Sequence, residues 1–131
     1  MDKITIDKTK NVPLVNFDQN GLLRIEGRSI PENASVFYAP LIKFVDELKV
    51  PCVYFDINLE YINTASSKQI LMLLNTLDQN EKIGSVRLNW FYEEGDDDSI
   101  ETAEVYEDSL RRIRFTYNEV AEVNCQKISC N

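Results

Sequence analysis

The run Val53-Tyr-Phe-Asp-Ile-Asn-Leu-Glu-Tyr61 constrains the fold more than any other stretch, because its side chains alternate without a break. Val53, Phe55, Ile57, Leu59 and Tyr61 fall on one side of an extended chain, and Asp56, Asn58 and Glu60 on the other. A period of two marks a strand with one dry face and one wet face. Val86, Leu88, Trp90 and Tyr92 alternate with Arg87, Asn89, Phe91 and Glu93 in the same manner, and Leu23, Ile25 and Gly27 alternate with Arg24 and Glu26. A sheet with one polar side follows, and its apolar side needs a cover.

Helical patterns between the strands supply that cover. Ile70, Leu73, Leu74 and Leu77 share a helix face, with Asp78 to Lys82 and then Gly84 as the stop. Asn33 to Lys49 reads as helical through Phe37, Leu41, Phe44, Val45 and Leu48, with Pro40 starting the regular part or kinking its first turn. A third helix is expected from about Ser99 to Arg112, with Ala103, Tyr106, Leu110 and Ile113 on one face and Asp98 with Glu101 as a capping pair. With a first strand around Val12 to Phe17 and a closing strand from Phe115 to Val123, the order is β-β-α-β-α-β-α-β. The fold class is α/β: a mixed sheet with its helices on one face. At 131 residues and 44% hydrophobic composition, the chain is expected to form a single domain over 1–131, with Asn124 to Asn131 as a fraying tail.

Composition removes several function classes. Fourteen Lys and Arg against 22 Asp and Glu give a charge of -8, which repels phosphate backbones and anionic lipid, so neither nucleic acid nor membrane is an expected partner. No histidine is present, which removes the commonest general base and metal ligand, and four scattered glycines cannot build a phosphate-cradling loop. Cys52, Cys125 and Cys130 lack metal-ligand spacing and read as reduced thiols. No catalytic residue, metal or cofactor is expected. The start of the chain does not resemble a signal peptide, and no run approaches membrane-spanning length, so the expected location is the cytoplasm. From Glu93 to Asp108 the chain holds nine of its 22 acids and no Lys or Arg. Three consecutive aspartates do not have calcium-loop spacing, so this run serves as a solvated helix start, as a docking surface for a basic partner, or as both.

One segment raises a chemical question: Tyr61-Ile-Asn-Thr-Ala-Ser-Ser-Lys-Gln-Ile70 crowds small polar residues where a strand gives way to a helix. Asn63, Thr64 and Ser66 are each able to cap that helix, and Ser66 with Gln69 fits a capping box. From Tyr61 through Leu77 there is no carboxylate, so the positive helix start has room for an anion. A phosphoryl group on Thr64 would find that start and Lys68 one turn on. Capping and modification both remain open on chemistry alone.

Gly27-Arg-Ser-Ile-Pro-Glu-Asn33, Phe37-Tyr38, Pro40-Leu41, Tyr61-Ile-Asn-Thr-Ala-Ser-Ser-Lys68 and Trp90-Phe-Tyr92 with the acidic run together resemble the SiaC family of bacterial regulatory phosphoproteins. The Ser-x-Pro-Glu-Asn and Asn-Thr-Ser-Ser-x-Lys elements are the most specific, since helix and strand patterning does not explain them. The resemblance implies a STAS-like fold, as in anti-sigma-factor antagonists. It further implies partner switching: a dedicated kinase phosphorylates a threonine, a PP2C-type phosphatase reverses this, and the unmodified protein binds a diguanylate cyclase or similar signalling enzyme. Carried over by motif, the threonine is Thr64, supported by Asn63, Ser66, Ser67 and Lys68, while Glu32, Asn33, Tyr38 and Tyr61 border the partner surface. The alternation by itself puts Tyr61 on the apolar side. This chain departs from the pattern at Ala65, where the motif has serine. STAS-like domains also suggest a different role, a nucleotide-binding or other small-ligand module, and a purely structural adaptor is a third reading.

Overall fold

A computed structural model of the protein describes residues 3–121. Its elements run β1 (Lys3–Ile6), β2 (Leu14–Asp18), β3 (Leu22–Ser29), α1 (Ala34–Glu47), β4 (Val50–Ile62), α2 (Thr64–Gln79), β5 (Ile83–Glu93), α3 (Asp97–Asp108) and β6 (Ile113–Val120). The six strands lie in chain order in one sheet; β1, β2 and β3 are antiparallel neighbours, and β3 to β6 are parallel. Each parallel step passes through one helix and moves in the same direction across the sheet. Crossovers of one hand then put all three helices on the same face. That confirms the mixed sheet with one-sided helices.

Val15, Phe17, Leu23, Ile25, Val53, Phe55, Ile57, Val86, Leu88 and Trp90 are buried beneath the helices, as the alternation requires. Phe17 of β2 packs between α1 and β4, with the rings of Phe44 and Phe55 at 5.7 and 5.6 Å. Asn80, itself buried, fastens the lower ends of α1 and α2: its amide donates to the Val45 and Leu48 carbonyls at 2.8 and 2.9 Å. The buried Asp78 carboxylate accepts from the backbone N–H groups of Arg111 and Arg112, which holds the turn into β6 against the end of α2. The polar run 78–82, read from sequence as a stop, is therefore also a pair of clamps.

Several expectations need correction. The first strand is Lys3–Ile6, and the strand expected at Val12 to Phe17 is the second, Leu14–Asp18. The short alternation of Ile4 and Ile6 was the available signal, and both are half-buried. Helix α1 begins six residues ahead of Pro40, with Asn33 as its cap. Pro40 is exposed, and its missing N–H removes the helical bond to the Val36 carbonyl. Helix α3 starts at Asp97 and ends at Asp108 rather than running from Ser99 to Arg112, so Ile113 belongs to β6. Its cap is Asp96, which accepts from Ser99 N–H at 3.1 Å; Asp98 lies in the first turn and does not cap. The closing strand ends at Val120. Val123, Cys125, Cys130 and the tail Asn124 to Asn131 lie outside the described residues.

Candidate functional site

Strand β4 ends at Ile62 and α2 begins at Thr64, so the segment in question is a one-residue hinge at Asn63. Of the three possible caps, Asn63 takes the position: its side-chain oxygen accepts from Ser66 N–H at 2.9 Å, and its carbonyl accepts from Ser67 N–H. Ser66 is not a cap. It is fully buried, and the reason lies across the sheet in Ser29.

Ser29 closes β3 at the position where Leu23, Ile25 and Gly27 point inward, so a polar side chain is buried there. Its hydroxyl donates to Ser66 Oγ at 2.8 Å and lies 2.7 Å from the Tyr38 hydroxyl. Ser29 has one proton and gives it to Ser66, so Tyr38 is the donor in the second bond. The Ser29 carbonyl also accepts from Asn63 N–H at 3.2 Å. Ser-x-Pro-Glu-Asn thus has a structural account: its serine ties β3 to the start of α2, and its asparagine caps α1. Burial pushes the Tyr38 hydroxyl up to about 12, so it stays protonated and able to donate.

Ser67, half-buried, is held in the same way by α3. The Tyr106 hydroxyl donates to the Ser67 carbonyl at 3.0 Å, which leaves Ser67 Oγ to donate to Tyr106 at 2.7 Å. Burial raises the Tyr106 hydroxyl as well. Tyr106 packs edge-on against Trp90 at 5.9 Å, and Trp90 Nε1–H donates to Ser99. Ser29 and Tyr106 are the residues that sequence reasoning missed. A serine in an inward position of an alternating strand was the signal for the first; for the second it was a tyrosine on the apolar face of a helix, whose partner the sequence did not name.

Thr64 is exposed, and among the described residues its hydroxyl has no hydrogen-bond partner. Ala65 and Lys68 beside it are exposed as well, and the first turn of α2 carries no acid. Of the three hydroxyl-bearing residues in 64–67, which are Thr64, Ser66 and Ser67, only Thr64 presents a free hydroxyl to solvent.

The four residues expected at a partner surface divide. Glu32 and Asn33 are exposed, ahead of α1. Tyr38 is fully buried and cannot border a surface; its ring and hydroxyl are core parts. Tyr61 departs from the alternation in the opposite sense. Gly27 pairs with Leu59 but Arg28 with Tyr61, so Glu60 is an extra residue in β4, and this bulge turns Tyr61 onto the wet face. There it is 51% exposed, with the Arg28 guanidinium 5.6 Å from its ring centre.

One measurement follows from the buried hydroxyls. Ser66→Ala removes the acceptor for the Ser29 proton inside the core, and is expected to destabilise the fold by about 1 to 2 kcal/mol. Ser67→Ala, at a half-buried site, is expected to cost less. Urea unfolding of the two variants tests this, and no loss for Ser66→Ala would remove the role assigned to the Ser29 link.

Among the described residues no three His, Cys, Asp or Glu are placed to hold a metal, and no helix is long and apolar enough to cross a membrane.

The chain is similar to SiaC of Pseudomonas aeruginosa, with a TM-score of 0.75 and 26% identity over 93% of this chain and 100% of that one. The crystal structure of the diguanylate cyclase SiaD in complex with its activator SiaC, from the same organism, gives a TM-score of 0.78 and 25% identity over 89% of this chain and 99% of that chain. An uncharacterized protein of Pseudomonas aeruginosa strain UCBPP-PA14 is 29% identical over 111 residues, which is 81% of this chain and 88% of the relative. The sequence profile of the SiaC family regulatory phosphoproteins matches residues 6–120, and the chain belongs to that family.

Proposed function

We propose that this protein is a non-catalytic, single-domain cytoplasmic switch whose state is set by reversible phosphorylation of Thr64. Unmodified, it binds and controls a signalling enzyme of the diguanylate cyclase class; a dedicated kinase adds the phosphate and a PP2C-type phosphatase removes it. The observation that carries this reading is the contrast within one helical turn. Thr64 is exposed and unpartnered, whereas Ser66 is buried against Ser29 and Ser67 is engaged by Tyr106. A kinase reaching this turn meets one available hydroxyl. The absence of an acid in the first turn favours a phosphate there, because its charge meets unpaired N–H groups and the positive end of the helix.

Support also comes from the relatives, since SiaC activates the cyclase SiaD with which it forms a complex. Ala65 removes a competing hydroxyl from the motif and leaves Thr64 intact.

The test is phosphopeptide analysis of the protein isolated from its native cells, with capture of the cyclase by Thr64→Ala and Thr64→Asp variants. Phosphate on Thr64 is expected, with capture by Thr64→Ala and little by Thr64→Asp. Phosphate confined to Ser35 or Ser109, or two variants that behave alike, would leave a structural adaptor as the better account.

A further inference from the structure

Thr64 and Ser67 stand three positions apart in the first turns of α2. Side chains at that spacing leave a helix on nearly the same face, with Cβ atoms about 5 to 6 Å apart, so an enzyme that reaches Thr64 has Ser67 beside it. Reach alone does not choose between them. Ser66 is turned into the core and Ala65 has no hydroxyl, which leaves Ser67 as the competitor. Ser67 is only half-buried, and its exclusion needs another cause.

That cause lies on α3. Tyr106 donates to the Ser67 carbonyl at 3.0 Å, and Ser67 Oγ donates back to the Tyr106 oxygen at 2.7 Å, so the two residues are bonded in both directions. The phenol is also held from behind. Tyr106 is 2% exposed and its ring meets Trp90 edge-on, while the Trp90 indole N–H donates to Ser99, two turns earlier on α3.

The chemistry of phosphoryl transfer makes this contact decisive. The hydroxyl oxygen forms a bond to the γ-phosphorus of a nucleoside triphosphate as the bond from that phosphorus to the bridging oxygen breaks, the nucleoside diphosphate leaves, and the hydroxyl proton passes to a base on the kinase. Ser67 has its one proton aimed at Tyr106, away from any base in solvent, and the phenol oxygen crowds the atom that would attack. Thr64 has an exposed hydroxyl with no partner among the described residues, so its proton and lone pairs are both open.

We propose that Tyr106 is the specificity-determining residue for modification of this helix start: by engaging the Ser67 hydroxyl it confines the phosphate to Thr64. The inference rests on the Thr64 reading and names the residue that keeps it to one site. Tyr106→Phe retains the ring against Trp90 but frees the Ser67 hydroxyl, which then samples its other staggered rotamers and turns toward solvent.

The experiment incubates the chain with extract of its native cells and ATP, and maps phosphate by peptide mass spectrometry beside thermal melts. The wild-type chain should carry phosphate on Thr64, and Thr64→Ala none within 64–67. Thr64→Ala combined with Tyr106→Phe should carry it on Ser67, at least about tenfold above the level in Thr64→Ala, as the loss of two ordinary hydrogen bonds allows. Thr64→Ala combined with Ser99→Ala controls for general loosening, because it removes the Trp90 bond and leaves Ser67 engaged; Ser67 should stay unmodified there. A second measurement needs no change at position 106: in the NMR spectrum of Thr64→Ala, the Ser67 hydroxyl proton should exchange slowly enough to be seen. Ser67 phosphate with Tyr106 intact, equal Ser67 phosphate in the Ser99 control, no Ser67 phosphate in the Tyr106→Phe combination, or a fast-exchanging Ser67 proton would each overturn the assignment, and with Thr64 phosphate in the wild-type chain the Thr64 reading would stand. A wild-type chain without phosphate on Thr64 would remove that reading and the assignment with it.

Discussion

Protein carrying phosphothreonine at position 64 is expected to bind the cyclase at least about 100-fold more weakly than unmodified protein, a difference of roughly 2.7 kcal/mol or more. Its melting temperature should stay within about 2 °C of the unmodified value, because an anion at an exposed helix start contributes at most about 1 kcal/mol of stabilisation. The two halves come from different physics. In the free protein the dianion is in water, next to unpaired N–H groups of the first turn of α2, and Lys68 one turn away is exposed with it. A surface pair of that kind is worth about 1 kcal/mol or less, so neither folding nor the Asn63 cap is disturbed. In a complex that covers Thr64 the same group must lose water, and a partner shaped around a neutral hydroxyl offers it no cation. Stranding an unpaired charge in this way costs about 3 to 5 kcal/mol. Titration calorimetry of both forms against the purified cyclase, beside thermal melts, measures both halves. Equal affinities would refute the switch; a large fall in melting temperature would assign any lost binding to unfolding instead.

The arrangement of strands and helices was legible because burial on one face imposes a period of two, and Val53, Phe55, Ile57 and Leu59 obey it. The same rule failed at Tyr61, since a single extra residue, Glu60, reverses the side and nothing in the local sequence announces a bulge. Caps were ambiguous for a related reason. Asn63, Thr64 and Ser66 share the needed chemistry, and the choice was made by a distant residue: Ser29 draws Ser66 inward and leaves Asn63 at the cap. Asp96, Asp97 and Asp98 posed the same problem, resolved by the turn that brings Asp96 N–H to the Glu93 carbonyl. Tyr38 was placed at a surface through the resemblance alone, whereas its ring is buried and the inward Ser29 hydroxyl supplies a buried partner for its O–H. The missing acids drew attention to the start of α2, a feature of the sequence itself, and the motif resemblance singled out Thr64 there. Its exposure depended on which neighbours turned inward.

Gly21→Ala is expected to destabilise the protein by about 3 to 5 kcal/mol, lowering the melting temperature by roughly 10 to 20 °C. Gly21 follows β2 in the tight turn to β3, where its N–H donates to the Asp18 carbonyl at 3.0 Å. Its φ of +99° is one that a side chain rarely adopts, and the methyl carbon of alanine would lie 2.4 Å from the carbonyl oxygen of Cys52. That oxygen belongs to β4, a central strand, and the next link is fixed too: Tyr54 N–H donates to the Gly21 carbonyl at 2.9 Å. Relief would thus require the turn to move away from the strand it is bonded to. Gly95 separates the two costs. Its φ of +87° imposes the same backbone penalty, but an added methyl would meet nothing within 4 Å. Gly95→Ala should therefore lose only about 1 kcal/mol, the price of the left-handed conformation alone. Urea unfolding of the two variants gives the collision cost as their difference. Equal losses would mean that the approach of Cys52 is not what requires glycine at position 21.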